Sequence, residues 1–245
     1  MTKPPQTLVD AAKELSSRLS KLSFDDPVTH VYNPLEYAID PHTAYLQRAR
    51  PQTCEIIFLG MNPGPWGMAQ TGVPFGEIAA VRDFLGIEAA VDRPPVEHPK
   101  RPVEGFDCQK SEVSGRRLWG CMRDRFKTAA AFFQKHFVAN YCPLVFMEQS
   151  GKNFTPDKLP AEVRGQLDAA CDWHLAQTIR LLEPKHLVGI GVYAEKCFRR
   201  VLTRDDVDTA ATVSRVLHPS PASPAANKDW AGKATQALID AGVWS

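Results

Sequence analysis

A chain of 245 residues, 44% of them hydrophobic, can bury a full core as one large domain. Its formal net charge of +1 excludes a globally basic protein that coats DNA, so a nucleic-acid partner would have to be gripped by a local patch. No apolar stretch approaches the roughly 18 residues that a membrane span needs.

The N-terminal Met1-Thr2-Lys3-Pro4-Pro5-Gln6 lacks the apolar core of a signal peptide, and residues 1–6 are expected to be flexible. Cys54, Cys108, Cys121, Cys142, Cys171 and Cys197 are scattered, with no Cys-x-x-Cys pair. That pattern argues against a zinc site, an iron–sulfur cluster or a disulfide scaffold and fits a reducing compartment. Asn153-Phe154-Thr155 matches a glycosylation acceptor, but a chain without a secretion route has no use for one. The expectation is a soluble, intracellular protein, with nothing that demands more than a monomer.

In chain order, Leu8, Ala11, Ala12, Leu15, Leu19 and Leu22 recur at helical spacing and predict an amphipathic helix over 7–22. The apolar run 55–59 predicts a buried strand, which enters a loop, 60–76, with five glycines and three prolines. Prolines fix φ and glycines let the backbone approach a ligand, so a loop of this length at a strand end does more than change direction. It holds an amide, Asn62, and an aromatic, Phe75, but no carboxylate, lysine or histidine. A helix is expected over 77–85, ended by Gly86. Residues 92–113, with Pro94, Pro95, Pro99 and Pro102, read as a long surface loop.

Ser114 is placed to cap a helix over 115–135, where Leu118, Met122, Phe126, Ala129 and Phe133 share one face. A strand at 137–139 ends at Asn140; a polar loop, 148–160, leads to a helix at 161–182. A strand at 186–190, a helix at 192–202 and a strand at 213–217 follow. The last strand runs into His218-Pro219-Ser220-Pro221-Ala222-Ser223-Pro224, and a final helix covers 228–241. Strands alternating with helices imply one α/β domain over 1–245, in three αβα layers around a mainly parallel four-stranded sheet. Ligands of such sheets bind beyond the carboxyl ends of the strands. Asn62, Asn140 and His218 each lie at such an end.

The chemistry of these residues is that of positioned neutral groups. An amide such as Asn62 can hold a water but cannot take its proton, which suits a dissociative reaction. A bond of Asn62 within its own loop, as an Asx-turn, is the plainer reading. Asn140 could pair bidentately with the edge of a base, or satisfy backbone groups at a strand end. His218, in a stiff proline turn, could donate to an oxygen that becomes anionic, or be merely exposed. Phe75 offers a face for stacking on a base, although a phenylalanine after a proline is more often core. Arg116, Arg117, Arg123, Arg125 and Lys127 could track phosphates or form a solvated helix face.

Gly60-Met61-Asn62-Pro63-Gly64-Pro65 with Thr71-Gly72-Val73-Pro74-Phe75-Gly76, then Asn140-Tyr141-Cys142-Pro143-Leu144, then His218-Pro219-Ser220-Pro221, closely resemble the single-strand-selective monofunctional uracil-DNA glycosylases. These belong to the uracil-DNA glycosylase superfamily, and the resemblance runs from about residue 30 to the C-terminus. It implies a uracil-DNA-glycosylase-like fold and excision of uracil from single- and double-stranded DNA without strand cleavage, with no metal or cofactor. By the same resemblance the flipped uracil stacks on Phe75 and pairs with Asn140. Asn62 positions the attacking water, His218 supports the charge growing on O2, and Met61 lines the pocket through its backbone. Gly64 leaves room for a 5-substituent, so 5-hydroxymethyluracil should be accepted too. Ser150, Lys152 and Asn153 fit the family's DNA-contacting loop, and Ser220, Pro221, Ala222 and Ser223 its wedge turn. The family carries a large basic residue where this chain has Ala222, so insertion into duplex is expected either to be weaker or to rely on Pro221 and the loop backbone. A non-catalytic binder of damaged or single-stranded DNA is the alternative. A phosphate-cradling nucleotide site fits poorly, because the glycine loop lacks the required spacing.

Overall fold

A computed structural model describes residues 4–245; residues 1–3 of the segment expected to be flexible lie outside the described residues. In chain order the elements are α1 (Leu8–Leu19), β1 (His30–Tyr32), α2 (Pro34–Tyr37), α3 (Ile39–Leu46), β2 (Ile56–Gly60) and α4 (Met68–Thr71). Then come α5 (Val113–Phe126), α6 (Ala129–Phe133), β3 (His136–Asn140), β4 (Val145–Met147) and β5 (Asn153–Phe154). The chain closes with α7 (Ala161–Leu182), β6 (His186–Ile190), α8 (Val192–Val201), β7 (Thr212–Val216) and α9 (Pro224–Asp240). α1 starts with a reciprocal capping box between Thr7 and Asp10, and its Leu8, Ala11, Leu15 and Leu19 are buried, as their spacing predicts.

β2, β3, β6 and β7 form a four-stranded sheet in the order β3-β2-β6-β7, every neighbour parallel. The chain leaves β2 toward β3 on one side, then returns past β2 to β6 and β7. With right-handed crossovers, α5 must cover one face of the sheet, and α7 and α8 the other. The helix contacts agree: α7 meets α1 and α8, whereas α5 meets α9. The direction of winding therefore reverses at the carboxyl end of β2, which is where an open α/β sheet offers a crevice. β2 and β3 are buried along their whole length, which is why they read as unbroken apolar runs.

Several elements differ from the sequence expectation. The helix expected over 115–135 is two helices. Lys127 takes a positive φ of 65°, and the Oγ1 of Thr128 restarts the helix by accepting from the N–H of Ala131 at 3.2 Å. Ser114 is no cap; it lies buried in the first turn of α5, behind Glu112. The helix after Glu77 includes a π-helical turn, Ala80–Phe84, before Gly86 turns out at a φ of 64°. α9 starts at Pro224 and breaks its helical geometry at Asp229.

A second, three-stranded antiparallel sheet, β1-β4-β5, lies outside the sequence expectation. It pairs His30 with Met147 and Met147 with Asn153, and so takes in part of the segment expected to be a polar loop. The proline-rich stretch 92–113 is not simply surface. His98 and Val103 are buried, the His98 N–H donates to the Tyr32 hydroxyl at 2.7 Å, and Gln70 Oε1 accepts from Glu104 and Gly105 N–H.

Candidate active site

The register of β2 against β3 sets Gly60 opposite Asn140. The two strands stay zipped into their loops, because Tyr141 N–H donates to Gly60 O and Cys142 N–H to Met61 O, both at 2.9 Å. The three sequence motifs thereby meet around a cavity of about 180 Å³ that touches Met61, Asn62, Gly64, Phe75, Asn140 and His218. Larger clefts of about 390 and 410 Å³ lie elsewhere, but neither joins these motifs.

Asn62 does not form an Asx-turn. Its Nδ2 donates to the carbonyls of Pro63 and Leu144, each at 3.3 Å. Those two acceptors fix which end of the amide is which, and leave Oδ1 as an acceptor. Asn140 is buried, and its Nδ2 meets only the thioether of Met68, at 3.4 Å. Sulfur is a weak acceptor, so this amide is not saturated by the strand end around it.

Phe75 has a φ of 54°, a left-handed conformation that is uncommon for a bulky residue and is held by its neighbours. Trp119 Nε1 donates to Pro74 O at 3.2 Å, and Thr71 Oγ1 to Gly76 O at 2.9 Å. Gly60 makes the approach possible: a Cβ there would strike the Phe75 ring and stand 2.6 Å from Asn140 Oδ1. The Phe75 ring is thus both core, at 7% exposed, and a wall of the cavity. Its centroid lies 6.2 Å from that of His218, with the rings tilted by 43°.

His218 follows β7, and burial holds its imidazole below the usual pKa of 6.5, so the ring is neutral near pH 7. The turn behind it is braced rather than loose. Arg117 Nη1 donates to Pro219 O at 3.0 Å and to Ser220 O at 3.3 Å, and its Nη2 reaches Asn227 Oδ1 at 2.9 Å. Asn227 Nδ2 in turn donates to Pro221 O at 2.9 Å. Arg117 therefore belongs neither to a phosphate track nor to a solvated face. Arg125 is similarly engaged, with Ser245 O at 2.7 Å and its guanidinium over Trp244.

The residues expected to meet DNA divide into two groups. Asn153 reaches the cavity itself, where its Oδ1 is buried without a partner. Ser150 and Lys152 stand exposed on the adjacent turn, whereas Pro221 and Ala222 are exposed beside His218. Ser220 Oγ accepts from Ala222 N–H at 3.2 Å, and Ser223 Oγ from Ala226 N–H at 3.4 Å as the N-cap of α9. Both serines shape the turn.

Sequence reasoning missed two cavity residues at the start of α5, Ser114 and above all Glu112. It comes from the stretch read as surface loop, and no local pattern marks it. Burial, reinforced by the charge of Glu77, raises its carboxyl to about 7. Among the described residues no group of three His, Cys, Asp or Glu side chains could hold a metal ion.

Taken together, the fold and site define a three-layer αβα protein with a small pocket of hydrogen-bonding groups at the switch point of a parallel sheet. The family model for the uracil DNA glycosylase superfamily matches residues 46–239, and this chain belongs to that superfamily. A single-strand selective monofunctional uracil-DNA glycosylase of Rattus norvegicus is 48% identical over 229 residues, which cover 94% of this chain and 82% of that protein. The protein of the same name from Bos taurus is 47% identical, over 94% of this chain and 84% of its own length. Among solved structures, Pedobacter heparinus SMUG2 matches with a TM-score of 0.64 over 98% of this chain and 96% of that one. At 16% identity, that match speaks for the fold alone.

Proposed function

We propose that this protein hydrolyses the N-glycosidic bond of a uracil flipped out of DNA, leaving an abasic site without cutting the strand. The reading is carried by one observation: Asn62 Oδ1 stays free as an acceptor, in the same cavity as an uncharged His218. The names of the Rattus norvegicus and Bos taurus relatives agree with it.

In this mechanism the C1′–N1 bond breaks first, and its electron pair passes into the pyrimidine, placing negative charge on O2. The His218 N–H donates to that oxygen. Asn62 Oδ1 accepts a hydrogen bond from the water that adds to C1′, and the proton this water sheds neutralises the uracil anion, which leaves as uracil. Phe75 stacks on the ring, whose face is free only when the base is out of the stack, and Asn140 meets its N3–O4 edge. Met61 forms part of the wall through its backbone. Gly64, where a Cβ would still find 3.8 Å of clearance, admits a 5-substituent such as hydroxymethyl. Among the described residues no lysine lines the cavity to form a Schiff base, in keeping with hydrolysis alone.

The protein acts as a monomer inside the cell, on single-stranded and duplex DNA, with Ser150, Lys152, Asn153 and Ser220–Ser223 facing the strand. The six buried, unpaired cysteines suit a reducing compartment. The test is a labelled single-stranded oligonucleotide with one uracil, followed by alkali. A break that appears only after alkali is the expected result. A break before alkali would refute the monofunctional reading, and an oligonucleotide bound but never cut would favour the binding-only alternative.

A further inference from the structure

Asn140 stands between two cavities. It lines the pocket beside Phe75 and His218, and on its other side a smaller space of about 30 Å³ that it shares with His42, Tyr45, Met68 and Pro143. Met68, the first residue of α4, is 2% exposed and lines only the second space. It therefore touches no ligand of the pocket. Yet its thioether, 3.4 Å from Nδ2, is the one partner of the Asn140 amide among the described residues.

The nearby hydroxyls are committed elsewhere. Tyr45 Oη donates to Val138 O at 2.7 Å and accepts from Val138 N–H at 3.2 Å, and Thr178 Oγ1 donates to His174 O at 2.9 Å. His42 Nδ1 meets Gly72 O at 2.7 Å. Sulfur can accept but has no proton to give, so the amide bonds to Met68 only through Nδ2. Turned end for end, it would set Oδ1 against a sulfur lone pair. In the orientation observed, Oδ1 lies over Gly60, 2.6 Å from where a Cβ there would stand, and beside the Phe75 ring. Nδ2 carries two hydrogens, so one remains, with Oδ1, for the base.

Under the function proposed above, on which this step rests, that orientation separates two bases of the same outline. Uracil offers N3–H and O4, a donor beside an acceptor. Cytosine offers a bare N3 and a 4-amino group, the reverse. Both carry O2 and a flat ring, so His218 and Phe75 treat them alike, and an amide free to turn about its Cβ–Cγ bond would pair with either. We infer that Met68 is a positioning residue that holds the Asn140 amide with Oδ1 toward N3 and Nδ2 toward O4, and so sets the preference for uracil over cytosine. A freed amide divides its time between the two orientations. Uracil then loses no more than about twofold, whereas cytosine gains from an orientation formerly denied to it.

The experiment measures single-turnover excision, with enzyme in excess, from single-stranded oligonucleotides that carry one 5-fluorouracil or one 5-fluorocytosine. The two bases differ only along the N3–C4 edge, and the electron-withdrawing fluorine weakens the glycosidic bond of both. Met68→Leu keeps the bulk and removes the acceptor. It should hold the fluorouracil rate within about twofold and raise the fluorocytosine rate, so that their ratio falls about three- to tenfold. Lost packing would slow both bases and speed neither, so a variant with no gain on fluorocytosine overturns the inference. So does an equal change on both bases. If a thermal melt shows that the leucine variant does not fold, Met68→Ile replaces it and is judged on the same ratio. A wild type active on fluorouracil, with an unchanged ratio in the variant, removes the role of Met68 alone. A wild type that excises neither base removes the glycosylase reading, and this inference with it.

Discussion

At His218 the useful property is neutrality. Burial disfavours the imidazolium, so in the proposed mechanism the ring acts as an uncharged donor whose bond to O2 strengthens as charge arrives there. His218→Leu should therefore slow uracil excision by about 10²–10³ while oligonucleotide binding survives. Equal rates in single-turnover assays of variant and wild type would remove its assigned role. Asn62 is expected to act on the step that follows, through the water. Asn62→Ala should reduce the rate at saturating enzyme and leave affinity nearly unchanged. A loss confined to affinity would transfer Asn62 from chemistry to binding.

At the level of elements, α5 does more for the site than any strand. Glu112 stands at its start, Gly115 lies flat against the Phe75 carbonyl, Arg117 braces the turn after His218, and Trp119 holds Pro74. Helix and turn are about a hundred residues apart in sequence, and the Arg117 bonds join them. Arg117→Met keeps the apolar stem but leaves the Pro219 and Ser220 carbonyls without that donor. Bonds from a charged donor are worth about 1.5–3 kcal/mol, so the excision rate should fall about tenfold or more with the fold retained. A hydrogen-exchange comparison should show faster exchange in 217–223. An unchanged rate together with unchanged protection would mean that Asn227 and Trp230, which bonds Leu217 O, hold the turn unaided.

For the whole molecule, buried histidines set the response to acid. His42 and His136 are both pushed down to about 4 by burial. His42 meets Gly72 O at 2.7 Å through Nδ1, and Trp244 Nε1 donates to His136 Nε2 at 3.0 Å, a bond that protonation would break. Both have folded pKa values below the ordinary 6.5, so the unfolded chain takes up protons first as pH falls. Stability is complete above about pH 6.5 and declines toward pH 4, by on the order of 3 kcal/mol per histidine at the limit. Glu112 works in the opposite sense. Its carboxyl, raised from 4.5 to about 7, binds its proton earlier in the folded state and so offsets part of the loss. Thermal midpoints should accordingly fall from pH 7 to pH 4.5, and fall more steeply in Glu112→Gln. Parallel curves for the two proteins would contradict the carboxyl's assignment.

The sequence by itself determined the parallel sheet and the ends where chemistry could gather. Apolar runs at 56–59 and 137–139, each followed by a distinctive motif, carry that information locally, because a strand buried on both faces must read as an unbroken apolar run. It also singled out Asn62, Phe75, Asn140 and His218, since prolines and glycines around them restrict the backbone whatever lies beyond. Only tertiary structure decided the rest. The antiparallel sheet is made of strands of two or three residues, too short for any period to show, and stable only against one another. Arg117 and Glu112 looked like ordinary surface charges. What they meet lies far off in the chain, Pro219 for one and the backbone at Gly64 and Gly67 for the other, and a contact between distant segments leaves no mark in the residues on either side.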